Sequence, residues 1–207
     1  MTRQVGAEGC APIFPGHGLR FIDEHDGGAA ANRVSRIGSP VATRCRIAVG
    51  RGGYRSGVMQ LRHAEPDDHA RVIAVIDDWW GGREMAAMLP RLFFVHFRDT
   101  SFVAEEGREQ LAGFLCGFLS QTYADEAYVH FVGVNPTFRG RGVGRALYER
   151  FFDAIAPRSV VRCVTSPVNE ASLAFHTSIG FEVEKTAASY DGRGDDRVLL
   201  VSRLARS

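Results

Sequence analysis

The run Val132-Gly133-Val134-Asn135-Pro136-Thr137-Phe138-Arg139-Gly140-Arg141-Gly142-Val143-Gly144 constrains this chain more than any other segment. It reads as a strand, a short turn and a glycine-rich start to a helix. That helix continues with Val143, Leu147, Phe151 and Ile155 on one stripe. The first turn of a helix leaves backbone N–H groups without intrahelical partners and carries the positive end of the dipole. Glycines at 140, 142 and 144 let an anion approach those groups with no Cβ in the way, and Arg139, Arg141 and Arg145 add charge. The segment is expected to hold a phosphate or pyrophosphate. Spacing then selects among nucleotide-binding devices. A G-x-x-x-x-G-K-[ST] loop is excluded, because the chain's one lysine, Lys185, follows no such loop. A dinucleotide fingerprint fits poorly, since Gly140-x-Gly142 is followed by Arg145 where a third glycine belongs.

Composition narrows the class further. The chain has 207 residues, is 45% apolar and carries a net charge of +1, so it holds one core-bearing domain with no global pull toward nucleic acid or anionic lipid. No apolar stretch is long enough to span a membrane, and the start lacks the apolar block of a secretory signal. Cys10, Cys45, Cys116 and Cys163 form no C-x-x-C pair, and the histidines show no metal-binding spacing. A reduced, cytoplasmic protein without a metal is expected. Residues 1–57 hold 11 of the 23 glycines and eight basic against four acidic residues. They are expected to form a flexible or poorly structured N-terminal extension, with residues 58–207 as the domain.

From Met59 the pattern is regular. Met59–His63 alternates like a strand, and Pro66-Asp67-Asp68 opens a helix with proline in its first turn. A second helical piece covers 82–97, broken or kinked at Pro90. Strands follow at 100–104, 110–120 and 127–134, then the helix 142–156 and a strand at 160–165. A helix at 169–179 has Asn169 as N-cap and Gly180 as its stop, and strands at 181–184 and 197–203 close the sheet. The order predicts a mixed α/β sheet of about seven strands.

Arg139-Gly140-Arg141-Gly142-Val143-Gly144 resembles the Q/R-x-x-G-x-G/A signature of the GCN5-related N-acetyltransferases, the GNAT family. A second segment, Asn169 to Phe181, resembles the family's N-x-x-A/S-x-x-x-Y-x-x-x-G-F pattern. The resemblance covers about residues 59–204. It implies a mostly antiparallel seven-stranded sheet, about four flanking helices and splayed central strands. It also implies acetyl-CoA as co-substrate, with the pyrophosphate on the amides from Arg139 through Gly140, Arg141, Gly142 and Val143 to Gly144. The pantetheine arm would run beside Val132, Gly133 and Val134. Asn169 would touch it, with Ser172 and Phe175 in the adjoining wall. The acceptor would be a primary amine, on a small molecule or a protein, and family members are often homodimers. A non-catalytic CoA-binding or regulatory module is the competing implication.

Acetyl transfer to an amine needs a proton acceptor, a polarised carbonyl and a proton for the leaving thiolate. Period two places Tyr128, His130 and Val132 on one strand face. His130 can serve as the base, or be a strand histidine satisfied in the core. The family's usual tyrosine acid falls at His176, which can be an acid, a contact to the coenzyme or a packing residue. A nearby tyrosine, Tyr123, Tyr128 or Tyr190, is the other source of that proton. Trp79 and Trp80, beside Asp77 and Asp78, can hold a cationic amine, or pack and cap the helix end. Cys116 and Cys163 have no evident activating partner, so direct attack in a ternary complex is expected.

Overall fold

A computed structural model describes residues 59–107 and 110–205. Seven strands form one sheet: β1 (Met59–His63), β2 (Ser101–Glu106), β3 (Gln110–Leu119), β4 (Glu126–Val134), β5 (Val160–Thr165), β6 (Glu182–Ala187) and β7 (Arg197–Arg203). Their spatial order is β1-β2-β3-β4-β5-β7-β6. Every pairing is antiparallel except β4 with β5. Four α-helices flank the sheet: α1 (Asp68–Trp79), α2 (Leu92–Val95), α3 (Val143–Ala154) and α4 (Glu170–Ser178). This is the mixed seven-stranded sheet expected from the order of elements, with the mostly antiparallel pairing that the family resemblance implies. The expected extension, residues 1–57, lies outside the described residues.

The two sheet faces carry separate cores. α3 and α4 cover one face, where Leu147, Tyr148 and Phe151 pack with Phe102, Leu115 and Phe181. α1 and α2 cover the other, where Val72, Ile76, Phe93 and Phe94 pack with Phe114 and Phe131. The apolar stripe read from the sequence is the buried face of α3, with Val143, Leu147, Phe151 and Ile155 each at most 1% exposed. The helix sits unusually close to β3. A Cβ on Gly117 would lie 2.6 Å from the Phe151 ring, and one on Gly113 would lie 3.1 Å from Val143. Only residues without side chains permit that approach.

Some boundaries differ from the sequence reading, each for a local reason. Pro66 precedes the N-cap Asp67 of α1 rather than occupying its first turn. The helix expected over 82–97 is two short turns, at Ala86–Met88 and Leu92–Val95, with a third just beyond it at Arg98–Thr100. Positive φ at Gly81 and Gly82 breaks its start, and Pro90 divides the remainder. Helix α3 begins at Val143, because Gly142 is its N-cap at φ +80. Phe181 belongs to the core, and β6 starts one residue later.

Charges join β1, α1 and β2. Asp68, 3% exposed, accepts both terminal nitrogens of Arg62 at 2.6 and 2.8 Å. Glu105, also buried, is bridged by Arg62 at 3.1 Å and by Arg71 at 2.6 Å. Burial by itself raises the Asp68 carboxyl, but hydrogen bonds from Arg62 and from the Glu65 amide outweigh it and hold the group below its ordinary value. A lowered carboxylate value contributes stability that is complete above the unfolded value and is lost as pH falls through the folded one. Asp68→Ala is therefore expected to cost about 3 kcal/mol at neutral pH. The gap to the wild type should stay constant down to roughly pH 5 and close below about pH 4, read by urea unfolding across that range.

Candidate active site

The site is built around a gap in the sheet. Parallel pairing of β4 with β5 covers Glu126–Val160, Ala127–Val161 and Tyr128–Arg162 and then stops. From Val129 to Val134 the β5-facing edge of β4 has no strand partner among the described residues, while its other edge continues along β3. The N-terminus of α3 follows directly, through the turn at 135–142. The first amide bonded within that helix is Ala146 N–H to Gly142 O, at 3.0 Å, so the amides of Val143, Gly144 and Arg145 precede the ladder. A Cβ on Gly140 or Gly142 would meet nothing within 4 Å, and both glycines have positive φ. An open turn, an unpaired strand edge and free helix-start amides thus adjoin one another.

The three glycines of the turn do different work. Gly140 and Gly142 supply left-handed backbone, whereas Gly144 is buried and makes room for Phe175, whose ring would lie 2.9 Å from an added Cβ. The arginines also separate. Arg139 donates to Trp79 O at 2.8 Å and Val134 O at 3.3 Å, and Arg145 donates to Ser178 O at 3.1 Å. Arg141 is exposed, lies 5.1 Å over the Phe138 ring and has no carboxylate partner among the described residues. Asn169 caps α4, its side-chain oxygen accepting from Ser172 N at 3.2 Å. Its side-chain NH₂ has no acceptor among the described residues.

Strand β4 contains a bulge that changes the expected faces. Cys116 pairs with Phe131 and Gly117 with Val129, so His130 is an extra residue. Ala127 and Val129 face the α3 core, and beyond the bulge Val132 and Val134 do so. Tyr128, His130 and Phe131 face the α1–α2 side, as stacking on Phe118, on Phe93 and against Trp80 shows. Val132 therefore does not share a face with Tyr128 and His130, contrary to the simple period-two expectation. The His130 ring stacks on Phe93 at 4.7 Å and 10°, and its Nε2 lies 3.0 Å from Met88 O. A carbonyl only accepts, so Nε2 carries the hydrogen, and in the neutral ring Nδ1 holds the free lone pair.

His176 is placed quite differently. It is 4% exposed and locked at both ring nitrogens. Nδ1 lies 2.7 Å from Ser172 O and Nε2 lies 2.8 Å from the Tyr148 hydroxyl. Nδ1–H must donate to the carbonyl, so Nε2 accepts from Tyr148. Burial pushes His176 below its ordinary value despite the Ser172 bond. The imidazolium acid considered for this position does not fit a buried, neutral, doubly bonded ring. Burial likewise raises Tyr148 far above its usual value and pushes the neighbouring Cys163 thiol up to about 12. Cys116, fully buried, is raised too, so neither thiol is an activated nucleophile.

Of the residues expected to hold an amine, Trp79 is 8% exposed and packs near Phe114 at 6.1 Å, so it belongs to the core. Trp80 is half-buried and covers β4, where it fills the space a Cβ on Gly133 would take. Asp77 accepts from the amides of Met85 and Ala86 at 2.7 and 2.9 Å, organising the loop after α1 rather than meeting an amine. A pocket that sequence reasoning missed opens where β4 and β5 part. Tyr128, Arg162, Cys163, Val164, Glu184 and Tyr190 line it, with Leu199 and Leu200. Arg162 bridges Glu126 at 3.0 Å and Glu184 at 2.6 Å, and Arg197 pairs with Asp191 at 2.7 Å. Burial raises the Tyr128 phenol, so it keeps its proton. The available signal was an arginine in the middle of the otherwise apolar strand Val160-Val161-Arg162-Cys163-Val164.

Residues 60–181 match the family described as "Acetyltransferase (GNAT) family". The chain is 41% identical over 128 residues to the L-2,4-diaminobutyric acid acetyltransferase of Nocardia farcinica, covering 60% of this chain and 65% of that protein. It is 39% identical over 64 residues to the N-alpha-acetyltransferase RimI of Mycobacterium tuberculosis, covering 31% of this chain and 40% of that one. It thus spans less than two thirds of the length of each. Among solved structures, the diaminobutyrate acetyltransferase EctA from Paenibacillus lautus, in complex with L-2,4-diaminobutyric acid and coenzyme A, matches with TM-score 0.56 at 20% identity. That match covers 72% of this chain and 97% of the other. Ard1 from Thermoplasma volcanium matches with TM-score 0.60 at 19% identity, over 71% and 98%. At these identities the structures show a shared fold.

The His176 lock has a pH consequence. A histidine value lowered by folding contributes stability that is complete above about 6.5 and is lost as pH falls through the folded value. The wild-type melting temperature is expected to drop more between pH 7 and pH 5 than that of His176→Gln, which keeps a polar side chain that does not titrate. Thermal melts of both proteins over that interval measure the difference.

Proposed function

Because this chain belongs to the acetyltransferase (GNAT) family, we propose that it transfers the acetyl group of acetyl-CoA to a primary amine. The observation that carries this reading is the end of β4–β5 pairing at Tyr128–Arg162, beside the free amides of α3. The thioester supplies an activated acetyl group. The chain supplies the rest. Amides of Val143 and Gly144, with Arg141 beside them, take the pyrophosphate. The open edge of β4 along Val132 and Gly133 takes the extended arm as an added strand. The side-chain NH₂ of Asn169 faces the same arm.

His130 acts as base through Nδ1. Its Nε2–H remains on Met88 O, and that bond strengthens when the ring gains a proton. The proton count closes without a separate enzymic acid. The ammonium gives up one proton before attack and a second on becoming an amide, and the thiolate takes one back. The acceptor enters on the Tyr128–Tyr190 side. Glu126, Glu184 and Asp191 outnumber Arg162 and Arg197 there, which favours a cationic acceptor. Relatives named for a diamino acid and for a ribosomal-protein alanine support the primary-amine class.

Free-thiol release from acetyl-CoA, screened over a panel that includes L-2,4-diaminobutyric acid and alanine-initiated peptides, tests the reaction. The engagement of His176 within the core favours one other reading, a CoA-binding regulatory module. Coenzyme A binding with no thiol release from any amine would establish that reading instead. For the base, His130→Gln keeps a donor for Met88 O and removes the lone pair. It is expected to lower kcat/KM about 100-fold at pH 7, with the loss shrinking toward pH 10 as the amine deprotonates unaided. A loss that stays constant with pH removes His130 from this role.

A further inference from the structure

Arg139 stands at the first position of the glycine-turn signature, yet its guanidinium points away from that turn. Nη2 donates to Trp79 O, in the last turn of α1, at 2.8 Å, and Nε donates to Val134 O, at the end of β4, at 3.3 Å. The last carbonyls of a helix lack intrahelical partners and carry the negative end of its dipole. Helix α1 has no basic residue in its own last turn, so Arg139 supplies that charge from 60 residues away. The loop that begins there carries Trp80 over Gly133 of β4, and Asp77 ties the same loop to Met85 and Ala86.

We infer that Arg139 is a positioning residue, a strap that clamps the end of α1 and Trp80 onto the open edge of β4, and that Arg141 is the arginine left free for phosphate. One observation separates them. Both are exposed and neither meets a carboxylate among the described residues, but Arg139 is committed to two backbone carbonyls, whereas Arg141 only lies over the Phe138 ring. Trp80 packs on Phe131, next to His130 on the same face, so the amine's approach to the proposed base depends on a side chain of the glycine turn. This consequence for the amine rests on the acetyltransferase reading, while the strap itself does not.

The chain's two tryptophans, Trp79 and Trp80, both sit at the clamped helix end, so intrinsic fluorescence reports on that place alone. Arg139→Ala is expected to red-shift the emission and increase quenching by acrylamide, with the affinity for coenzyme A, by calorimetry, within about threefold of wild type. Arg141→Ala is expected to do the reverse, with unchanged emission and about tenfold weaker coenzyme A binding, near 1.4 kcal/mol. With the fastest amine of the thiol-release panel, Arg139→Ala should raise the amine KM more than the acetyl-CoA KM. Tenfold weaker coenzyme A binding with unchanged emission in Arg139→Ala would make Arg139 a phosphate ligand and overturn the strap. Should Arg139→Ala lose its cooperative melt, Arg139→Lys decides. Its ammonium keeps a charged donor for the carbonyl at the end of α1 and is expected to restore wild-type emission, and a fully shifted emission in a folded Lys variant would also overturn the proposal. If no amine turns over, the emission and calorimetry still test the strap, so its failure is distinct from failure of the proposed reaction.

Discussion

The close seating of α3 on β3 fixes everything at the site. Gly113 and Gly117 remove the side chains that would hold the helix off the sheet, and Val143, Leu147 and Phe151 fill the space. The position of Val143 then determines where the free amides of the helix start lie relative to the edge of β4. A helix held a few tenths of an ångström farther out would still pack, but the turn at 140–142 would no longer meet the strand end in the same register. Gly144 extends this logic to α4, because it admits Phe175 and so brings Tyr148 and His176 into contact. Close packing and binding geometry are therefore one constraint at this helix.

The fold was legible where local pattern and burial agree. The stripe on α3 and the Asn169 cap each arise from spacing within one segment, and each is where the sequence places it, whereas the alternation in β4 is broken by the bulge at His130. The cofactor turn was legible for a related reason. Glycine betrays a backbone requirement even when the backbone itself has no signature. Features that depend on a partner far along the chain were not legible. Nothing in the sequence near Arg139 indicates that its guanidinium meets Trp79, and nothing near His176 indicates Tyr148. Family position left His176 open as an acid, a coenzyme contact or a packing residue, and the structure buries the ring with both nitrogens engaged. A buried ring with both nitrogens engaged is neutral and part of the packing, whatever occupies the same position in relatives.

The two faces of the sheet divide the labour. The α3–α4 face holds buried tyrosine, histidine and cysteine in forms that do not ionise at neutral pH. The other face, together with the strand ends beyond the gap, carries His130, Tyr128 and the ion pairs of Arg162 and Arg197. Burial also raises Tyr128 and Cys116 on this side, so what sets it apart is the exposed His130 ring and the ion pairs. The charge cluster of Arg62, Asp68, Arg71 and Glu105 performs the same framing task at the β1 end of the sheet.

The added residue at His130 acts as a dislocation in the pleat of β4. On its Tyr128 side the strand keeps one phase, and on its Val134 side the opposite one. Deleting a single residue there would return the strand to one phase and exchange the inward and outward side chains of one half. The imidazole projects from the line of that fault, and Val132 and Val134 owe their packing against the α3 core to the same fault. Sequence drift can therefore retune this strand by exchanging side chains, but a change in its length would lose the histidine's direction and the core's closure in one step.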